Sequence, residues 1–122
     1  MISKNELIEI AEELGYIVRN YGEYIEVCYK PNSTMWDDDY VDPSIVVDAN
    51  YDIFNGQNKV LNIYKLIKRT EKNKYKLVGE SDYDYMLPKE GIYNILKNLY
   101  MELKDTEQQY NLDLIKGDFD DR

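Results

Sequence analysis

The sequence contains no histidine and one cysteine, Cys28. Without imidazole, histidine-based triads, histidine general bases and zinc sites of the Cys/His type are excluded. A single thiol cannot close an internal disulfide, and an unpaired cysteine suits a reducing cytoplasm. Long apolar runs are missing too. Stretches such as Ile45-Val46-Val47 fall far short of the roughly 20 residues a membrane-spanning helix needs. The opening Met1-Ile2-Ser3-Lys4-Asn5-Glu6 has no apolar stretch of signal-peptide length. The expectation is a cytoplasmic protein without membrane contact. Among only six glycines there is no GxxxxGK(S/T), GxGxxG or GxSxG pattern, so phosphate cradles and nucleophile elbows of those kinds are not indicated.

What is present suits one domain. The chain has 122 residues, of which 43% are hydrophobic and 32% charged, enough to build a core on the scale expected for one domain. Lysine outnumbers arginine 12 to 3, and Ile, Asn and Tyr reach 12, 11 and 13, a bias toward AT-rich codons that suits a low-GC bacterium or its phages.

Ser3 and Glu6 form a capping box that starts a helix at about Lys4, with Ile2 placed to staple onto Leu7. Leu7, Ile10, Ala11 and Leu14 share its inner face, the glutamates lie mainly outward, and Gly15 occupies the C-cap position. Residues 16–19 and 24–30, around the turn Asn20-Tyr21-Gly22-Glu23, read as a hairpin, closed by Pro31. Residues 31–43 read as a long polar loop. Residues 44–48 form a short strand, Asn55-Gly56 marks a turn, and residues 60–69 with 75–78 read as a long hairpin. Val60, Ile63, Tyr64 and Ile67 also fit a helical face, but β-forming composition favours strand. After Pro88, the stripe Ile92, Ile95, Leu96, Leu99 and Leu103 marks a second helix, and the segment from Asp105 onward is assigned helix as well. The predicted fold is a single α+β domain over residues 1–122. It has a mainly antiparallel sheet of about 4–6 strands, an N-terminal helix and one or two C-terminal helices on one face, with the acidic end at about 117–122 mobile.

Charge is segregated along the chain. The net charge is −9, yet residues 31–58 carry −6 with no basic residue, whereas residues 59–79 carry +6. Same-sign clusters create potentials that steer partners of opposite sign. Trp36, Asp37, Asp38, Asp39, Tyr40 and Asp42, with Asp82, Tyr83, Asp84 and Tyr85, combine carboxylates with aromatic anchors suited to a basic protein partner. That partner is expected to be a nucleic-acid-binding enzyme, whose phosphate contacts the carboxylates would imitate. The alternative site is the basic hairpin, where Lys65, Lys68, Arg69, Lys72, Lys74 and Lys76 would bind nucleic acid or another anionic ligand. A solvated hairpin edge explains the same lysines without a ligand, and self-assembly through paired acidic and basic faces is a third reading.

Chemistry is weakly supported. Asp48-x-Asn50-x-Asp52 opens like an EF-hand loop, but Ile53 stands where glycine is needed and Lys59 where a glutamate ligand belongs. Asp37-Asp38-Asp39 and Asp82-x-Asp84 lack a complete ligand set, so neither metal nor cofactor is expected. Cys28 lies on a strand with no base available. In size, acidity and lack of catalytic motifs the chain resembles small inhibitors of phages and mobile elements, the class that includes anti-CRISPR and anti-restriction proteins. The resemblance is one of character and implies a non-enzymatic inhibitor.

Overall fold

A computed structural model describes residues 1–38, 42–52, 60–79 and 84–120, with residues 118–120 described by backbone alone. The predicted turn at Asn55-Gly56 and the last two residues of the acidic end, 121–122, lie outside the described residues, whereas residues 117–120 continue a helix.

The first helix, α1 (Lys4–Leu14), begins at the expected capping box. Glu6 N donates to Ser3 Oγ at 3.2 Å and Ser3 N to Glu6 Oε1 at 3.3 Å. It ends at Gly15, whose φ of 100° is the left-handed cap that glycine adopts most readily. A side chain there would also meet the Tyr100 hydroxyl at 3.0 Å. Four strands follow, β1 (Ile17–Asn20), β2 (Tyr24–Cys28), β3 (Ile45–Asn50) and β4 (Val60–Ile63), paired antiparallel in chain order.

Register separates the two faces of this sheet. Val18, Val27, Val47 and Ile63 line up across it, as do Asn20, Ile25, Ala49 and Leu61. Most of these side chains are buried, in one core with Leu7, Ile10 and Ala11 of α1. Arg19, Glu26, Asp48 and Asn62 form the alternate row on the other face, as the two-residue side-chain period requires.

The predicted long hairpin is divided. β5 (Leu66–Arg69) and β6 (Tyr75–Val78) pair as a separate two-stranded sheet, while β4 belongs to the four-stranded one. Asp84, in a short 3₁₀ turn (Asp84–Met86), accepts from Ile63 N at 2.8 Å and Lys65 Nζ at 2.6 Å, and Tyr64 N donates to Val46 O at 2.8 Å. These bonds hold β4 and the two residues after it on the first sheet, so the chain turns before β5 begins. The ambiguity between helix and strand resolves to strand in both halves.

One helix, α2 (Lys89–Asp120), closes the fold. Ile92, Leu96, Leu99 and Leu103 enter the common core, and Tyr110 packs edge-on against Tyr75 with ring centroids 6.4 Å apart. Stripe and tail are thus one helix, since the segment contains no proline to break it. Tyr16, Tyr29 and Tyr100 interlock edge-to-face beneath it at 5.2 and 5.3 Å, and Tyr16 OH donates to Leu96 O at 2.6 Å. The architecture is α+β and, among the described residues, has six antiparallel strands in two sheets between two helices in the chain.

Gly15→Ala places a side chain at positive φ and against Tyr100. We expect a loss of about 1 to 2 kcal/mol in urea denaturation, and an unchanged midpoint would refute this account of the cap.

Candidate functional site

The acidic and aromatic residues singled out from sequence do not form one open surface. Trp36 is 4% exposed and belongs to the core. Its indole N–H is shared between Tyr29 O and Lys30 O, each at 3.0 Å, so its polar edge is satisfied inside the protein. This corrects the expectation of an exposed anchor: local polarity hides the fact that Met35 and Trp36 are a buried apolar pair. Asp84 is buried as well, at 1% exposure, where its carboxylate caps the edge of β4 and pairs with Lys65. Asp42 accepts from Arg19 Nη1 at 2.6 Å and from both Ser44 N and Ser44 Oγ. Burial works against ionisation of Asp42, yet these donors outweigh it and hold the carboxyl below its usual range. Asp37 lies 3.3 Å from Lys72 Nζ. Asp38 and Tyr85 are exposed, while Asp39, Tyr40, Asp82 and Tyr83 lie outside the described residues.

An acidic and partly aromatic groove exists elsewhere, between α1 and α2. It measures about 330 Å³ and is lined by Glu9, Ile10, Glu13, Lys89, Glu90 and Tyr93. Helical spacing places Glu9 and Glu13 on one side, and the first turn of α2 supplies Glu90, where a carboxylate also favours the helix dipole. Lys89, the one cation among the described lining residues, is 3.6 Å from Glu6. Among the described residues, Glu9, Glu13 and Glu90 make no ion pair. The outward glutamates of α1 were legible from periodicity, but their meeting with Glu90 and Tyr93 depends on how two distant helices pack.

The outer face of the sheet forms a second concavity, of about 380 Å³, walled by Tyr24, Tyr64 and Leu77. Its carboxylates are committed. Asp48 accepts from Asn62 Nδ2 at 2.8 Å and from Tyr64 OH at 2.5 Å, and Glu26 accepts from Tyr24 OH at 3.2 Å. Burial and then the neighbouring carboxylates push the Tyr24 hydroxyl up to about 12.

The basic residues are sorted in the same way. Lys65 is diverted to Asp84, whereas Lys68, Arg69, Lys72 and Lys76 share a cavity of about 450 Å³ with Asp37, Thr70 and Glu71. Lys74 does not line it. Among the described residues no group of three acidic or cysteine side chains is placed to hold a metal ion, and no helix is long and apolar enough to cross a membrane.

Two measurements check these assignments. Cys28 is fully buried, and that burial pushes its thiol up to about 11 against the opposing pull of Arg19, leaving roughly a thousandth as thiolate at pH 8. Its reaction with an aromatic disulfide at that pH should be very slow in the native protein and immediate in denaturant. Asp84→Ala leaves Lys65 and Ile63 N without their acceptor and should lower stability by about 2 to 3 kcal/mol in chemical denaturation; a loss below about 0.5 kcal/mol would mark the pair as a surface one. No family model, curated protein or solved structure matches the chain.

Proposed function

We propose that this protein is a non-enzymatic acidic inhibitor that docks onto a basic protein, one that handles nucleic acid, through the groove between α1 and α2. The observation that carries the proposal is the set Glu9, Glu13 and Glu90, three carboxylates without ion-pair partners among the described residues, around the apolar surface of Ile10 and Tyr93. A carboxylate already neutralised within its own chain adds little to the field a partner meets. These three remain available to steer and orient cations. The floor suits the same partner, because lysine and arginine bury their aliphatic stems while their charged ends reach carboxylates, and an aromatic face attracts them further.

A partner whose natural ligand is nucleic acid presents such cations in rows, so occupation of that surface would exclude nucleic acid from it. The overall charge of −9 favours this class of partner over duplex nucleic acid, since like charge opposes approach. Inhibition of a defence or restriction enzyme, as by the small mobile-element inhibitors the chain resembles in character, is the form this binding would take in the cell.

The test is capture of basic proteins from a nuclease-treated lysate of a low-GC bacterium, followed by titration with the retained protein. The triple variant Glu9→Gln, Glu13→Gln, Glu90→Gln should bind about tenfold more weakly or worse and show a flatter salt dependence. A control removing the same charge at exposed sites away from the groove, Glu23→Gln, Glu102→Gln, Asp105→Asn, should bind nearly as the parent does. Equal affinity of the two variants would overturn the groove assignment.

A further inference from the structure

The basic cavity of the hairpin β5–β6, opposite in charge to the groove between the helices, shares no described lining residue with it. Its shape follows from register. Lys68 stands directly across from Lys76, and Arg69 follows Lys68 on β5. Thr70 N donates to Lys74 O at 2.8 Å and Asn73 N to Thr70 O at 3.0 Å, while Asn73 adopts a left-handed φ of 58°. This tight turn brings Lys72 back toward the strands, beside Asp37. Among the described residues, four cations and two carboxylates therefore line one space of about 450 Å³, a net charge of +2.

Two features set this cavity apart from an ordinary solvated edge. Like charges directly opposite on paired strands destabilise the pair, so the Lys68–Lys76 juxtaposition is retained at a cost. Edge protection by lysine explains Lys68 and Arg69 on β5, the outer strand, but not Lys76. β6 is flanked on its other side by residues 35–37, through Tyr75 N to Met35 O at 2.8 Å and Asp37 N to Tyr75 O at 2.9 Å. β6 is thus already paired on that side at Tyr75, the residue before Lys76.

The geometry points to an anion site for a phosphate monoester, held between Lys68 and Lys76 with Arg69 and Lys72 at its margin. A terminal phosphate carries about −1.5 to −2 at neutral pH, matching the +2 of the cavity, whereas a phosphodiester carries a single negative charge. Arg69 adds the planar fork suited to phosphate oxygens. Among the described residues no aromatic ring lines the cavity, which gives no stacking platform of the kind single-strand binders use and favours the phosphate itself as the recognised group. The Thr70 hydroxyl is buried without a well-formed hydrogen bond, although it lies close enough to Asp37 to help hold that carboxyl low. Asp37 therefore stays ionised at neutral pH and keeps Lys72 at the mouth of the site.

The full-length protein would be titrated at constant ionic strength with inorganic phosphate, and with a short oligonucleotide bearing either a 5′-phosphate or a 5′-hydroxyl, with amide NMR as the readout. Inorganic phosphate should move the signals of residues 68–76, and Lys68→Gln/Lys76→Gln should weaken binding about tenfold or more. Without phosphate, the same double variant should melt at a higher temperature than the parent, because it removes the cross-strand repulsion; that result separates loss of binding from loss of fold. A 5′-phosphorylated oligonucleotide bound more tightly than the hydroxyl form would identify a nucleic-acid end as the source of the phosphate, and binding of inorganic phosphate alone would identify a small phosphate ligand. Equal binding of both oligonucleotides with no response to phosphate, or a double variant that binds as the parent does, would overturn the site.

Discussion

The hairpin β5–β6 is tied to the rest of the protein at Tyr75, and the position of the basic cavity depends on that joint. The two backbone hydrogen bonds between Tyr75 and residues 35–37 contribute roughly 1 kcal/mol each. The rings beneath them contribute more. Trp36, edge-on against Tyr29, buries an area of the order of 200 Å², worth roughly 5 kcal/mol at the usual coefficient. Burial thus supplies the energy and the hydrogen bonds supply the direction: with Met35 and Trp36 in the core, Asp37 must emerge beside the turn at Lys72. At the other end of the hairpin, Asp84 holds Lys65, so the two-stranded sheet is fixed where it enters and where it passes residues 35–37.

Local elements were legible where neighbouring residues determine them. The Ser3/Glu6 capping box, the Gly15 cap, the first hairpin and the apolar stripe of α2 all follow from residues within a turn or two of one another. The break at Tyr64 and Lys65 was not, because its cause is Asp84, about twenty positions away, with Val46 and Asp48 on a different strand. Trp36 misled for a related reason. A tryptophan amid polar residues reads as surface, and only its indole bonds to the carbonyls of Tyr29 and Lys30 show why it turns inward. The tyrosine excess has the same explanation. Tyr16 and Tyr51 bury their rings yet reach the backbone oxygens of Leu96 and Ile2, which phenylalanine could not do.

Counting charges along the chain overstates the acidity of the 31–58 segment as a surface. Asp37, Asp42 and Asp48 each bind a cation or hydrogen-bond donors within the protein. The glutamates of α1, spread by helical periodicity and scarcely noticeable in a linear charge profile, are the ones left facing water beside Glu90. Glu107 repeats the point from the other direction. It is an acidic residue on the inner side of α2, and it gathers Lys30, Ser33 and Tyr29, joining the helix to the segment that leads into Trp36. Which carboxylates bind a partner and which hold the fold is decided by tertiary pairing, and no local pattern records it.

A site for an anion within a protein of net charge −9 is consistent with the range of the forces involved. The screening length is about 8 Å at physiological ionic strength, so carboxylates farther away than that act weakly on an ion already seated between Lys68 and Lys76. Direct hydrogen bonds to cations, by contrast, act at about 3 Å. Global charge therefore governs how often a long polyanion approaches, and local charge governs whether a small one stays. A compact phosphate pays little of the long-range penalty and collects all of the short-range gain, and that asymmetry favours a single phosphate group over an extended nucleic-acid backbone as the ligand of this hairpin.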